Sequence, residues 1–385
     1  MYIQNYSCTT AAGVGTPALM SALYSGKDCS VVGESGGRVC YLKNSPEKNH
    51  SYRDIFVNGF KELVHPLREG LSKDAYLDLT KNRMVLIFAS NKGALEDYIW
   101  TATKENIREM HDPYSEILTY FQENSVGLPW IFDCTVANAC ISTHAALEYT
   151  QDLFKSERAE YALIISGELV GPFLEKGYDS LRALSHTSCR PFAEDRDGMQ
   201  LGEALAMMLI SRDRKSPEDI KIQGVVTKTQ GIPHIPPEAE SQTLLQVLQE
   251  LNSHTPVHPD LVVAHGSGTQ DDDAVEDEAL VTFLDSVGDS QVPITSTKWC
   301  IGNSLGASGL IDIIAAAEVL KTQKVFRIHN TSQISASMKA QYLLPHFQNG
   351  PGIRYRQILI TSLAFTGVYA ACAIGVEEVN NENPD

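Results

Sequence analysis

The chain has 385 residues, 43% hydrophobic and 21% charged, an ordinary globular balance with length enough for a large core or two similar lobes. Its formal net charge of −17 speaks against a nucleic-acid binder, which would show a basic face, and no stretch approaches the roughly 20 apolar residues that span a bilayer. The opening MYIQNYSCTTAAGVG lacks the basic start and apolar block of a secretory signal, so a cytoplasmic protein off the membrane is expected.

In chain order, KNSPEKNHSYRD (43–54) is polar and reads as an exposed loop. RMVLIFAS (83–90) is a short apolar run of the buried-strand type. VANACIST (136–143) lies where a strand gives way to a helix, and AALEYTQDLFKSE (145–157) carries helical spacing with a polar face. EYALIISGELV (160–170) and EALAMMLISRD (203–213) are further strands. IPHIPPEAESQ (232–242) is a proline-bearing connection leading into the helix TLLQVLQELNSH. DLVVAHGSGT (260–269) runs from apolar into a glycine-rich turn, and VPITSTK (292–298) is strand-like. GASGLIDIIAAAEVLKTQ (306–323) is rich in helix formers. RQILITSLAFTGVYAACAIGVEEV (356–379) reads as two strands around a turn. Alternating strands and helices predict a layered α/β fold. The two halves, 1–215 and 216–385, offer the same element types, which suggests an internal duplication without a close sequence repeat.

The cysteines at 8, 29, 40, 134, 140, 189, 300 and 372 form no C-x-x-C pair and no zinc-like spacing with histidine. Buried thiols are expected, with no metal and no cofactor. Cys140 stands apart. At a helix N-terminus it would meet unpaired backbone N–H groups and the positive end of the helix dipole, which favours thiolate and a lowered pKa. The blander alternative is a buried thiol in a packed turn.

His265 ends an apolar strand before glycines, where sites form in α/β sheets. The acidic run after it, QDDDAVEDE, reads as a solvated helix start. Lys298 and Asn303 lie in TSTKWCIGNSLGASG. Asn303 would open the next helix as an N-cap, and Lys298, if buried, would need a partner such as Glu276 or a backbone carbonyl. Phe365 and Gly367 sit in the last turn.

These residues occur in motifs that resemble the β-ketoacyl synthases of the thiolase superfamily. NACIST resembles the nucleophile elbow T-A-C-x-S. SCRPFAEDRDGMQLGEALAMMLISRD resembles R-P-F-D-x-x-R-D-G-F-x-x-G-E-G. HGSGTQDDDAVEDEAL resembles H-G-T-G-T-x-x-x-D-x-x-E, STKWCIGNSLGASG resembles S-x-K-x-x-x-G-H-x-x-G-A-x-G, and SLAFTGVYA resembles S-F-G-F-G-G-x-N. Five motifs in the family's order cover nearly the whole chain.

The resemblance implies a thiolase-like fold, two duplicated βαβαβαββ halves in a five-layered α-β-α-β-α arrangement. The first half would carry Cys140, the second His265, Lys298 and Asn303. It implies a dimer, either with itself or with another ketosynthase-like subunit, and an acyl carrier protein as partner. Cys140 would be acylated, and His265 and Asn303 would serve decarboxylation. Lys298 would organise the site with Glu276 and Asp273, while Thr269, Phe365 and Gly367 would belong to its substrate, oxyanion and gating surroundings. The backbone N–H groups of Cys140 and Phe365 would form the oxyanion hole.

One departure matters. Elongating members carry histidine where this chain has Asn303. An asparagine amide still donates a hydrogen bond to an enolate, though it cannot become cationic or shuttle a proton. Asn138 also replaces the elbow's threonine, and Ala364 and Thr366 alter the glycine-rich gate. Two further activities fit the residues: an acyltransferase that loads Cys140 without elongating, and a non-catalytic partner of a heterodimeric synthase. The order Cys140, His265, Asn303 also matches papain-like proteases, but the C-G-S-C-W context is missing and Lys298 has no role there.

Overall fold

A computed structural model describes residues 1–42, 52–69, 83–92, 115, 117–120, 130–230, 237–347, 353–365 and 367–377. In the first part of the chain the strands are β1 (Tyr2–Thr10), β2 (Gly13–Val14), β3 (Val31–Val32), β4 (Arg38–Cys40), β5 (Met84–Ala89), β6 (Trp130–Val136), β7 (Tyr161–Glu168), β8 (Leu201–Gly202) and β9 (Ala204–Ser211). The helices there are α1 (Thr16–Ser25), α2 (Tyr52–Glu69), α3 (Ser142–Lys155) and α4 (Pro172–Ser180). The second part holds β10 (Ile220–Thr229), β11 (Leu261–Val263), β12 (Pro293–Thr295), β13 (Gln341–Tyr342), β14 (Gln357–Ala364) and β15 (Val368–Val376). Its helices are α5 (Pro237–His254), α6 (Gln270–Val287), α7 (Lys298–Ile301) and α8 (Ser308–Thr322).

Among the described residues the strands form one long sheet, β13-β12-β11-β14-β15-β10-β1-β9-β7-β5-β6, with β2 beside β1. Outward from the β1–β10 junction the two directions match. In one, β1-β9-β7 are antiparallel neighbours and β7-β5-β6 parallel ones. In the other, β10-β15-β14 are antiparallel and β14-β11-β12 parallel. The duplication expected from element types is thus present in strand order and direction.

Parallel strands need covering on both faces, and their sequences run continuously apolar as a result. Helix α3 touches β5, β6 and β7 on one side and β10 and β15 on the other, while α8 touches β14, β15 and β9. Both helices lie between the two halves of the sheet. That position explains why α8 is buried along almost its whole length. Helix α2 covers β1 and β9 from one outer side, and α5, packed on α6, covers β10 and β15 from the other. The buried Phe56 and Phe60 of α2 form a separate outer core with side chains of β5, β7 and β9. The layers therefore run α-β-α-β-α, the thiolase-like arrangement.

The predicted strands and helices fall where the apolar runs lie. Of the predicted loop 43–54, residues 43–51 lie outside the described residues, and Tyr52 to Asp54 open α2. Part of 232–242 also lies outside them, and α5 begins at Pro237.

The small sheet β3-β4-β8 brings the chain before β9 against the loop after α7. Gly202 donates to the Asn303 carbonyl at 2.9 Å, and Asn303 donates to the Gln200 carbonyl at 2.8 Å. The backbones meet so closely that a Cβ on Gly302, whose φ is +78, would stand 2.3 Å from the Leu201 carbonyl oxygen. A side chain has no room there and the backbone conformation disfavours one. Gly302→Ala is expected to destabilise the fold by about 2–3 kcal/mol, read as a lowered midpoint in urea unfolding with an unchanged m-value.

Candidate active site

Cys140 follows β6 and precedes α3. The turn between them is tight. Ala139 has φ 47, a left-handed conformation that a non-glycine residue adopts only when its surroundings demand it. The Ser142 hydroxyl donates to the Ala139 carbonyl at 2.7 Å and accepts from the Asn138 N–H at 2.8 Å, pinning the turn. The second half repeats this elbow: Leu305, three residues before α8, also has φ 47. Ala139 stands the same three residues before α3, so Cys140 and Gly306 occupy equivalent places.

The two elbows face each other. The Thr143 hydroxyl donates to the Gly306 carbonyl at 2.7 Å. Cys140 packs in an apolar cluster with Met199, Leu201, Leu305, Ala364 and Val368. Only 4% of Cys140 is exposed. This reverses one expectation. Burial pushes the thiol up to about 12, with the carboxyls of Glu168 and Asp272 adding to the effect, while Lys298 and a backbone hydrogen bond act against it. Desolvation disfavours the charged form more strongly than the helix end favours it.

His265 follows β11. Its backbone N–H donates to Glu276 Oε1 at 2.7 Å and that of Gly266 to Oε2 at 2.8 Å; the Thr361 hydroxyl donates to the same carboxylate at 2.5 Å. Glu276 therefore fixes the turn that carries His265. Burial above all, then the charge of Lys298 and the neighbouring His144, hold the His265 imidazole well below its usual pKa, so the ring is neutral. Its Nδ1 is buried without a hydrogen-bond partner among the described residues. Asp273 accepts from the backbone of Phe192 at 2.6 Å and of Gly268 at 3.1 Å, and lies 3.8 Å from Arg196. These acids are not the solvated helix start their composition suggests: Asp273, Glu276 and Asp277 are all buried. Thr269 accepts from the Asp272 N–H as the N-cap of α6.

Lys298 opens α7 and is buried, as is its partner. That partner is Asp312, at 2.9 Å, in place of the expected Glu276. Asp312 lies one turn into α8, and the Thr297 hydroxyl also donates to it. Its distance in sequence hid it, although an aspartate inside an otherwise apolar helix was a visible signal. Glu276 feels the Lys298 charge without pairing with it.

Asn303 is not a helix N-cap. It stands five residues before α8, and its Oδ1 accepts from the Leu305 N–H and the Ser308 hydroxyl, both at 3.0 Å. Those bonds orient the amide, and among the described residues Nδ2 has a hydrogen-bond partner only in the Met199 sulfur, at 3.6 Å. A thioether is a weak acceptor, readily exchanged for a carbonyl oxygen.

Phe365, 49% exposed, sits in the turn between β14 and β15 with its ring 5.9 Å from that of Tyr178. Gly367, φ 69, closes this turn by donating to the Ala364 carbonyl at 3.1 Å. Tyr178 packs beside the Cys140 cluster.

Two residues near Cys140 drew no notice in the sequence. Glu168, at the end of β7, accepts from the Ser90 hydroxyl at 2.9 Å and from the Asn91 N–H, and burial pushes its carboxyl up to about 7. His144 lies in the first turn of α3. Among the described residues no group of acids, histidines and cysteines could hold a metal ion, and no helix is long and apolar enough to cross a membrane.

Two family models match this arrangement, the β-ketoacyl synthase N-terminal domain over 133–216 and its C-terminal domain over 220–332. The chain belongs to the β-ketoacyl synthase family. A putative polyketide β-ketoacyl synthase of Streptomyces cyaneus is 28% identical over 207 residues, 50% of this chain and 49% of that protein. The chain spans about half the length of the curated relatives it matches. The ishigamide ketosynthase/chain length factor superposes with TM-score 0.78 at 18% identity, over 98% of this chain and 99% of that one. A type II polyketide acyl-carrier protein in complex with its ketosynthase gives TM-score 0.78 at 17% identity, over 98% and 99%. At these identities the structures share the fold.

Because the Cys140 thiol is held near 12, above the free value of about 8.5, it stays protonated at neutral pH. Its alkylation by iodoacetamide is expected to rise about tenfold per pH unit from about pH 7 to about pH 10. A plateau above about pH 8.5 would show an ordinary thiol.

Proposed function

We propose that this chain is a β-ketoacyl synthase that condenses carrier-bound thioesters by decarboxylation, in fatty-acid-like or polyketide biosynthesis. The observation that carries the reading is the pair of opposed elbows, one presenting Cys140 and the other following Asn303, with a neutral His265 held by Glu276. Cys140 takes the acyl group from its thioester, releasing the carrier thiol. Loss of CO₂ from a malonyl thioester then leaves an enolate whose oxygen accepts from His265 and from Asn303 Nδ2. The enolate carbon attacks the acyl carbonyl and expels the Cys140 thiolate. The backbone N–H groups of Cys140 and Phe365 receive the developing oxyanion.

The high thiol pKa leaves Cys140 protonated at rest, so its proton must leave as the sulfur attacks; the Lys298 charge favours that ionisation, while an imidazole held well below its usual pKa is only a weak base for it. Lys298 supplies positive charge to both groups, and Phe365 with Tyr178 stands at the gate. Thr269 acts through α6, whose Glu276 supports His265.

An acidic acyl carrier protein is the partner this chemistry requires, and a second ketosynthase-like subunit is the other. Strand β6 ends the sheet among the described residues, and its alternate residues, Ile131 among them, are exposed. An open edge of this kind supports pairing with another subunit. The chain length factor in a superposed neighbour's name favours one second reading, a partner subunit that binds acyl chains without condensing them. A loading acyltransferase is the third.

Intact-protein mass spectrometry separates the three. Incubation with acyl-carrier protein is expected to place the acyl mass on Cys140, and carboxyl-labelled malonyl-carrier protein then to release labelled CO₂ with a product two carbons longer. Acylation without CO₂ selects the loading enzyme, and neither event selects the partner subunit. Asn303→Ala is expected to lower the condensation rate about 10²–10³-fold, the effect of removing one oxyanion donor, while leaving acylation of Cys140 within about threefold.

A further inference from the structure

His144 is a polar ring in an apolar place. It lies four residues after Cys140, in the first turn of α3, and none of its surface is exposed. Both ring nitrogens are buried, and neither has a hydrogen-bond partner among the described residues. A neutral imidazole carries one donor and one acceptor, so a leucine would fill this site at less cost. A buried polar group kept without a partner asks for a functional explanation.

The fold makes room for the ring. A Cβ on Gly309 would come within 2.6 Å of His144 Cε1 and Nδ1, so the absence of a side chain on α8 lets the imidazole lie against its backbone. Gly309 is bracketed by Ser308, which donates to Asn303, and by Asp312, which pairs with Lys298. His144 also shares an electrostatic neighbourhood with Lys298 and with His265. Burial and the Lys298 charge hold its pKa down near 3, so the ring is an uncharged neighbour of the ammonium. His265 Nδ1 and the Ser304 hydroxyl are also buried without a hydrogen-bond partner among the described residues.

We propose that His144 is a positioning residue, whose neutral imidazole accepts from the Lys298 ammonium through one bridging water and so fixes the direction in which that charge faces Cys140 and His265. This deepens the condensing-enzyme reading, and it rests on Cys140 as the reactive thiol. Asp312 takes one of the three ammonium N–H donors. A second donor directed to His144 would hold the ammonium between α3 and α8. The Lys298 charge then acts fully on the Cys140 thiol, which it draws toward ionisation.

The test measures the rate constant for Cys140 alkylation by iodoacetamide on the full chain between about pH 7 and about pH 10. His144→Leu is expected to slow alkylation about tenfold at every pH, with a thermal midpoint equal to or above that of the unaltered protein. His144→Gln, which keeps a donor and an acceptor, is expected to stay within about threefold. Lys298→Met, made together with Asp312→Leu so that no unpaired charge is left buried, is expected to slow the reaction at least as much as His144→Leu does, and adding His144→Leu to that pair no further. Alkylation of His144→Leu at the unaltered rate, or effects that multiply in the combined variant, would overturn the proposal. If the leucine variant does not fold, ring-nitrogen NMR of the unaltered protein decides. A neutral ring with one hydrogen-bonded acceptor nitrogen from about pH 5 to about pH 9 supports the proposal, and a ring that titrates near 6.5 or shows a free acceptor overturns it. Release of CO₂ from malonyl-carrier protein is measured on the same samples. The alkylation pattern without CO₂ release from the unaltered protein would end the condensing reading and leave the positioning role standing.

Discussion

Lys298 and Asp312 face each other at 2.9 Å with almost no surface exposed to water. Two opposite charges in such a place constrain everything attached to them. Removing either would leave the other buried and uncompensated, a loss of about 3–5 kcal/mol. The pair joins the start of α7 to the first turns of α8, and the segment between them carries Asn303, Ser304 and the elbow at Leu305. Clamped at both ends, that segment keeps the Asn303 amide oriented without help from a helix cap. The same ammonium reaches Cys140, His265 and Glu276 electrostatically. A single charge thus sets the field for residues drawn from both halves of the chain.

The duplication supplies the geometry in which one charge can do this. Helices α3 and α8 lie between the halves of the sheet, and their N-terminal elbows meet. Equivalent left-handed residues, Ala139 and Leu305, precede equivalent positions with different contents. One elbow presents a thiol. The other presents Gly306, whose carbonyl accepts from Thr143 at the start of α3. Turns that share a left-handed residue at the same place but carry different side chains give a buried thiol on one side and a framed polar loop on the other.

Burial governs the chemistry of this centre. The thiol of Cys140 is raised by desolvation, and the imidazoles of His144 and His265 are lowered by it. Both shifts favour uncharged forms. Neutral rings donate hydrogen bonds without carrying charge into an apolar pocket, and a thiol that stays protonated at rest is protected from adventitious oxidation. The acids of α6 follow the same rule: buried Asp273 and Glu276 are tolerated because backbone N–H groups of the neighbouring turns bind them.

By itself, the sequence determined the inner parallel strands β5, β7 and β11, since they are covered on both faces and read as unbroken apolar runs. It also determined the elbow at Cys140 and the strand-end places of His265 and Phe365, because glycines and small residues mark sharp turns locally. It did not single out β1 or β6, where polar residues interrupt the apolar ones: β1 threads Gln4 and Asn5 through the middle of the sheet, and β6 alternates exposed and half-buried residues along an edge. Only the tertiary structure decided that Lys298 pairs with Asp312, that the acidic run turns inward, that Cys140 is raised instead of lowered, and that His144 lies against Gly309. Each of these depends on how much water a group loses and which distant backbone approaches it. Desolvation and long-range contact belong to the packed layers, and no local stretch of residues encodes them.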